Sequence, residues 1–119
     1  MNTSLKFYCD VLGFRIHESA GPKDALDWVW LKLDDVDLML NTAYEAPFRP
    51  EHPDPVRVAS HDDTALYLGC PDVDAAYREL LSKGITLSPP TIAPYGMKQL
   101  YVHDPDGYNL CFQWQEKKE

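Results

Sequence analysis

An excess of basic charge is missing from this chain: 11 lysines and arginines stand against 19 aspartates and glutamates, for a formal net charge of -8 at pH 7. A polyanion needs a basic footprint, so neither nucleic acid nor an anionic membrane is an expected partner. Cysteine is scarce too. Cys9, Cys70 and Cys111 are odd in number and no two have C-x-x-C spacing, which argues against a disulfide framework or a zinc knuckle and fits a reducing, cytoplasmic setting. No apolar run approaches membrane-spanning length, and Met1-Asn2-Thr3-Ser4 lacks the basic and apolar regions of a signal peptide. The expectation is a soluble, unexported protein. A single domain of 119 residues is expected, able to bury roughly 65% of its unfolded surface without staples.

What the chain does contain is clearest between Gln99 and Trp114, which reads as two strands folded about Asp104-Pro105-Asp106-Gly107. Pro105 presets φ for a turn, the aspartates can accept from nearby backbone, and Gly107 tolerates the left-handed conformation that re-enters a strand. Alternation sends Leu100, Val102, Leu110, Phe112 and Trp114 to one face and Gln99, Tyr101, His103, Asn109, Cys111 and Gln113 to the other. The second face is where function is to be sought.

Upstream, Leu5, Tyr8, Cys9 and Leu12 recur at helical spacing, with Thr3 or Ser4 as cap and Gly13 as stop. Strands are expected at 14–17, 26–33 and 36–41, a Gly-Pro loop at 19–24 and a turn at Asp34-Asp35. Residues 43–63 carry Pro47, Pro50, Pro53 and Pro55 and are expected to hold neither helix nor central strand. Beyond them come a strand at 65–69, a helix capped by Asp72 with Val73, Ala76, Tyr77, Leu80 and Leu81 on one stripe, a stop at Gly84, and strands at 85–87, 98–103 and 108–114. The order helix, glycine stop, three strands therefore occurs twice.

The Asp-Pro-Asp-Gly-Tyr-x-Leu-x-Phe-Gln run, together with Ser4-Leu-Lys-Phe-Tyr-x-x-Val-Leu-Gly-Phe14, resembles the vicinal oxygen chelate superfamily of glyoxalase I, bleomycin-resistance proteins and extradiol dioxygenases. The resemblance implies an α+β fold of two βαβββ modules whose curled mixed sheets surround a shared cavity. The leading strand of the first module is absent from this chain, and the strand edge it would cover needs another partner. Module one is expected at 1–42, the linker at 43–63, module two at 64–115 and a solvated tail at 116–119.

Metal-dependent members of that superfamily place His or Glu on the inner faces of four strands, where an oxygen-chelating ion finds converging ligands. Mapped onto this chain, the first position belongs to the missing strand, the second falls on Met39, the third on Ala65 or Thr64, and the fourth on Cys111. None is the family's residue, so no metal and no cofactor are expected. A lone thiol is more often a small buried hydrophobe than a ligand. His17, His52 and His61 are expected as exposed or loop histidines, whereas His103 is expected beside Tyr101, in a cavity or a structural role.

Alternation in the second strand puts Val29, Leu31 and Leu33 toward the helices and Trp28, Trp30 and Lys32 on the other side. With Met39, Asn41, Tyr67, Gln99, Tyr101, His103 and Cys111, the tryptophans form the expected ligand wall: aromatic area with a few orienting polar groups. A sheet interface or a dimer contact would use the same residues. The turn carboxylates, Asp104 among them, read as solvated turn formers. The expected function is metal-independent binding of an aromatic or amphipathic small molecule, of the bleomycin-resistance type. The negative charge favours a cationic ligand, and a homodimer is implied by the resemblance. The alternative is a glyoxalase-like lyase or isomerase, or a dioxygenase, acting on a small oxygenated substrate.

Overall fold

A computed structural model describes residues 1–42, 48–52 and 54–116. The chain divides into two compact units, Met1–Asp54 and Pro55–Glu119, with the break inside the expected linker. The architecture is α+β, with two sheets and few helices.

The first unit opens with α1 (Asn2–Leu5), which continues as a π-helical segment, Lys6–Val11, and then lays down β1 (Arg15–Ala20), β2 (Trp28–Leu33) and β3 (Val36–Asn41) as an antiparallel sheet in that order. Neither Thr3 nor Ser4 caps the helix; it starts earlier, behind Met1, with no side-chain cap. Its widened turn is closed by Leu12 N–H donating to the Phe7 carbonyl at 3.0 Å, and this extra residue per turn brings the sequence neighbours Phe7 and Tyr8 inward together. Their rings meet edge-on at 5.2 Å, and Tyr8 meets Phe14 at 5.9 Å. These aromatics and the fully buried Val29 and Leu31 make the core of the unit. β1 runs further than expected and is exposed along its whole length, as an edge strand can be. No described strand pairs with the outer edge of β3.

The second unit begins with a correction. Pro55–Ser60 forms helix α2 and His61–Asp63 a 3-10 turn, inside the stretch expected to lack helix. Pro55 sits at the first helical position, where its missing N–H would have had no intrahelical partner, so the proline starts the helix. Next come β4 (Ala65–Gly69), α3 (Val73–Ser82), β5 (Thr91–Ile92), β6 (Met97–His103) and β7 (Asn109–Gln115), in a sheet ordered β4-β7-β6-β5. β4 runs parallel to β7, and the other pairs are antiparallel. Asp72 caps α3 as expected, its side chain accepting from Ala75 N–H at 2.9 Å. The strand expected at 85–87 does not form. Ile85 N–H instead bonds the Leu80 carbonyl at 3.1 Å and Gly84 N–H the Leu81 carbonyl at 3.0 Å, a Schellman closure of α3.

Val73 and Leu80 of α3 are buried, as are Leu100, Val102, Leu110 and Phe112 on the core face of β6 and β7; Leu81 of the expected stripe is exposed. Each such fully buried aliphatic side chain contributes roughly 1.5–3 kcal/mol relative to exposure. Trp114 departs from its expected place and is 47% exposed. It pairs with Lys98 in the register and abuts Gly69, which offers no side chain to cover it.

The turn between β6 and β7 is built on Asp104, which is buried rather than solvated. Its Oδ1 accepts from Asp106 N–H at 2.9 Å and Tyr108 N–H at 2.8 Å. The linker segment packs onto this turn. His61, expected as a solvated loop histidine, stacks on Tyr108 at 4.0 Å, and its Nδ1 lies 2.6 Å from the Asp106 carbonyl oxygen. Gly107 and Gly84 both adopt positive φ, at 85° and 81°, but a Cβ on Gly107 would stand 2.6 Å from the Val58 carbonyl oxygen, whereas one on Gly84 would meet nothing within 4 Å. Gly84→Ala should therefore lower stability by about 1–2 kcal/mol, the left-handed backbone cost alone, and Gly107→Ala by clearly more. Denaturant midpoints of the two variants check this; equal losses would mean that α2 does not press on the turn.

Candidate functional site: the open sheet faces

Two sheet faces carry the residues expected to bind something, one in each unit. In the first unit, alternation in β2 turns Val29 and Leu31 into the core and leaves Trp28, Trp30 and Lys32 on the other side. The register sets Trp28 between Ala20 and Asn41, Trp30 between Glu18 and Met39, and Lys32 between Arg15 and Asp37. Trp28, Trp30, Met39 and Asn41 thus share one face, with Met39 54% exposed and both tryptophans half-buried.

Trp30 is engaged by its own chain. Its Nε1–H donates to Asp37 Oδ1 at 2.8 Å, and Lys32 Nζ lies 3.5 Å from that oxygen and 5.2 Å from the indole centroid. His17, in the register shift between Ile16 and Glu18, places its ring edge-on to the indole at 4.5 Å. The indole hydrogen bond is the main force holding the Asp37 carboxyl below the ordinary carboxylate value; Lys32 and His17 add to it and desolvation opposes it. Trp28 has no cation or ring partner of this kind among the described residues.

In the second unit the register aligns three rows on the face away from α3: Thr91, Gln99, Gln113 and Gly69; then Tyr101, Cys111 and Tyr67; then His103, Asn109 and Ala65. Tyr67, Gln99, Tyr101, His103 and Cys111 are therefore brought onto one face. Gln99 is buried and fully partnered: Nε2 donates to Tyr95 Oη at 2.8 Å and to Gln113 Oε1 at 2.9 Å, and Oε1 accepts from Tyr101 O–H at 3.4 Å. Cys111 is fully buried although it faces away from the core, between Tyr67 and Tyr101 in the register, and burial is the main cause of its raised thiol pKa. Tyr101 is pushed far above the ordinary phenol value, first by its hydrogen bond with Tyr67, then by desolvation and Cys111. His103 is exposed at the strand end.

Four groups at this site were not foreseen as site residues. Gln113 and Lys32 lay on the right faces by alternation but carried no other signal. Asp37 was visible only as a neighbour of Met39. Tyr95 lies in the turn between β5 and β6, where strand alternation has no hold.

A divalent ion does not fit the residues at the family's ligand positions. Met39 offers a thioether, Ala65 no donor, and Cys111 a thiol held protonated by burial. Among the described residues no three of His, Cys, Asp and Glu converge.

Comparison with known proteins settles the class. A family model of the Glyoxalase/Bleomycin resistance protein/Dioxygenase superfamily matches residues 1–112, and the chain belongs to that superfamily. It is 31% identical over 113 residues to the uncharacterized protein YaeR of Escherichia coli (strain K12), covering 90% of this chain and 81% of that one. Among solved structures, it is similar to a bleomycin resistance determinant encoded on the transposon Tn5, with TM-score 0.71 and 22% identity over 98% of this chain and 89% of the other. It is also similar to TnmS3, an antibiotic binding protein from Streptomyces sp. CB03234, with TM-score 0.67 and 20% identity over 97% and 86%. The two-sheet α+β architecture is the fold of these proteins, and the membership supports a small-molecule-binding or glyoxalase-like role. No helix among the described residues is long and apolar enough to cross a membrane.

A carboxyl whose folded pKa is depressed contributes stability that is complete above its unfolded value and lost as pH falls through the folded one. For Asp37 that window opens at 3.8 and extends below it. Trp30 emission should therefore show an acid titration step below pH 3.8, and Asp37→Asn should abolish it. Survival of the step in that variant would place the titrating group elsewhere.

Proposed function

We propose that the chain is a metal-independent binding protein of the bleomycin-resistance type that holds an aromatic or amphipathic small molecule against its open sheet faces. The observation that carries this reading is that Trp28, Trp30, Met39, Tyr67 and Tyr101 all stand on faces turned away from the packed helices, the tryptophans half-buried and the other three exposed, with Asn41, Gln99 and Gln113 as neutral polar neighbours and the Lys32–Asp37 pair beside Trp30. Aromatic area with a few orienting polar groups is the composition of a small-molecule site. A bleomycin resistance determinant and an antibiotic binding protein share the fold. The reading also carries a homodimer, testable by sedimentation.

The metal-independent part follows from the donors at the ligand positions. Exhaustive dialysis against a chelator should leave the melting temperature unchanged, and metal analysis of untreated protein should find far less than one ion per chain. About one tightly held zinc, nickel, manganese or iron ion per chain would overturn the reading, because a metal bound only to the folded state stabilises it.

The tryptophan face suits a planar cation, but Lys32 already stands against Trp30. Trp28→Ala should weaken binding of a planar cation such as N-methylquinolinium by about 1–3 kcal/mol, while Lys32→Met should strengthen it by freeing the Trp30 ring from a competing cation. Calorimetric titration measures both. Weaker binding in Lys32→Met would mean that Lys32 orders the site.

A further inference from the structure

The hydrogen-bond directions on the face of the four-stranded sheet restrict what it can hold. Buried Gln99 fixes them: both Nε2 hydrogens are committed, to Tyr95 Oη at 2.8 Å and Gln113 Oε1 at 2.9 Å, and Oε1 accepts the Tyr101 hydroxyl hydrogen. Because Gln113 uses its oxygen toward Gln99, its amide nitrogen is left with two hydrogens to give. Because Tyr95 accepts from Gln99, its hydroxyl hydrogen is also left over. Both groups bond the same nitrogen and so flank one amide, and Tyr95 is 70% exposed.

Among the described residues the paired positions of this face carry no carboxylate, lysine or arginine. They are occupied, with Met97 and Gln115 at the far end, by Thr91, Gln99, Gln113, Gly69, Tyr101, Cys111, Tyr67, His103, Asn109 and Ala65. The -8 net charge that would draw a cation is carried elsewhere. Tyr67 and Tyr101, 54% and 42% exposed, supply flat area beside the donors.

We propose that this face is a hydrogen-bond-donor platform for an uncharged, planar aromatic carbonyl group, stacked against Tyr67 and Tyr101 with its oxygen accepting from Gln113 Nε2–H and Tyr95 O–H. The inference rests on the small-molecule-binding reading above and names the chemistry one of its faces selects. A cationic ring finds no carboxylate at the paired positions and cannot accept from the two donors, and a plain hydrocarbon leaves those donors facing a surface that cannot accept from them, a desolvation loss the carbonyl avoids.

Three bicyclic probes of similar size test it: chromone, neutral with a carbonyl; naphthalene, neutral without one; and N-methylquinolinium, cationic. Chromone should bind about tenfold more tightly than naphthalene, the worth of roughly one to two net hydrogen bonds. Gln113→Glu, which turns a donor into an anionic acceptor, should cost chromone at least that factor without changing naphthalene binding. Tyr95→Phe, at an exposed turn position, should cost chromone about threefold and stands as the deciding variant if Gln113→Glu melts prematurely. Equal affinity for chromone and naphthalene, or variants that leave chromone unaffected, would overturn the platform. If N-methylquinolinium alone binds, the platform falls and the small-molecule reading stands; if none of the three binds, both fall.

Discussion

The register of β6 on β7 decides what the open face of the second unit is, and Asp104 decides the register. A strand shifted by one residue presents its opposite set of side chains; here a slip would turn Gln99, Tyr101 and His103 into the core and Leu100 and Val102 out of it. Asp104 prevents this by tying two backbone N–H groups of the turn to one carboxylate oxygen. α2 and the 3-10 turn then press on that turn through Val58, His61 and Asp62, whose carbonyl accepts from Asn109 Nδ2 at 2.9 Å. The proline-rich stretch is thus a clamp on the hairpin. Pairing of Tyr101 with Cys111 and of Gln99 with Gln113 follows from it.

The two faces are built on different electrostatics. In the first unit the half-buried indole of Trp30 sits in a small charged cluster, where Asp37 accepts from the indole and is matched by Lys32. Such a cluster is exposed, screened by salt and worth little as a stability element, but it fixes the orientation of the ring. In the second unit orientation is fixed by a neutral network around one buried amide. A buried polar group with every hydrogen bond made is rigid, and it transmits its own polarity to the groups around it. Gln99 does so here, leaving its neighbours as donors.

Much of this was legible from residue order. Period-two alternation placed Val29, Leu31, Leu100, Val102, Leu110 and Phe112 in the cores and Trp28, Trp30, Tyr67 and Tyr101 outside them, because a strand with one covered face has no other arrangement, and it failed for Trp114 at the strand end. Asp72 and Gly84 marked the ends of α3 by capping chemistry that is local in sequence. What failed was non-local or fell where short segments choose between alternatives. Pro55 was read as a breaker although its ring suits a helix start, and Ile85 was read as strand although its N–H was needed to close α3. Widening of the first helix, which brings Phe7 inward, has no signal in a 3.6-residue pattern. On the site, alternation found the face but not the direction of a single hydrogen bond. Tyr95 and Asp37 matter only through partners that pairing brings to them.

The burial of Cys111 bears on what the chain can do. At this position the resemblance puts a carboxylate that must reach an ion, whereas here the side chain lies between two tyrosines and carries a thiol that burial keeps protonated, against the opposing pull of hydrogen bonds from Tyr101 and the Leu100 backbone. A protonated thiol is a poor ligand and a poor nucleophile. Tyr101, held protonated far into the alkaline range, is equally unsuited as a base at neutral pH, where a catalytic base needs a pKa near the working value. Both groups are fit to pack and to donate. Protonated, neither adds charge to the face, and a face without charged groups that directs its donors outward is what recognition of an uncharged acceptor requires.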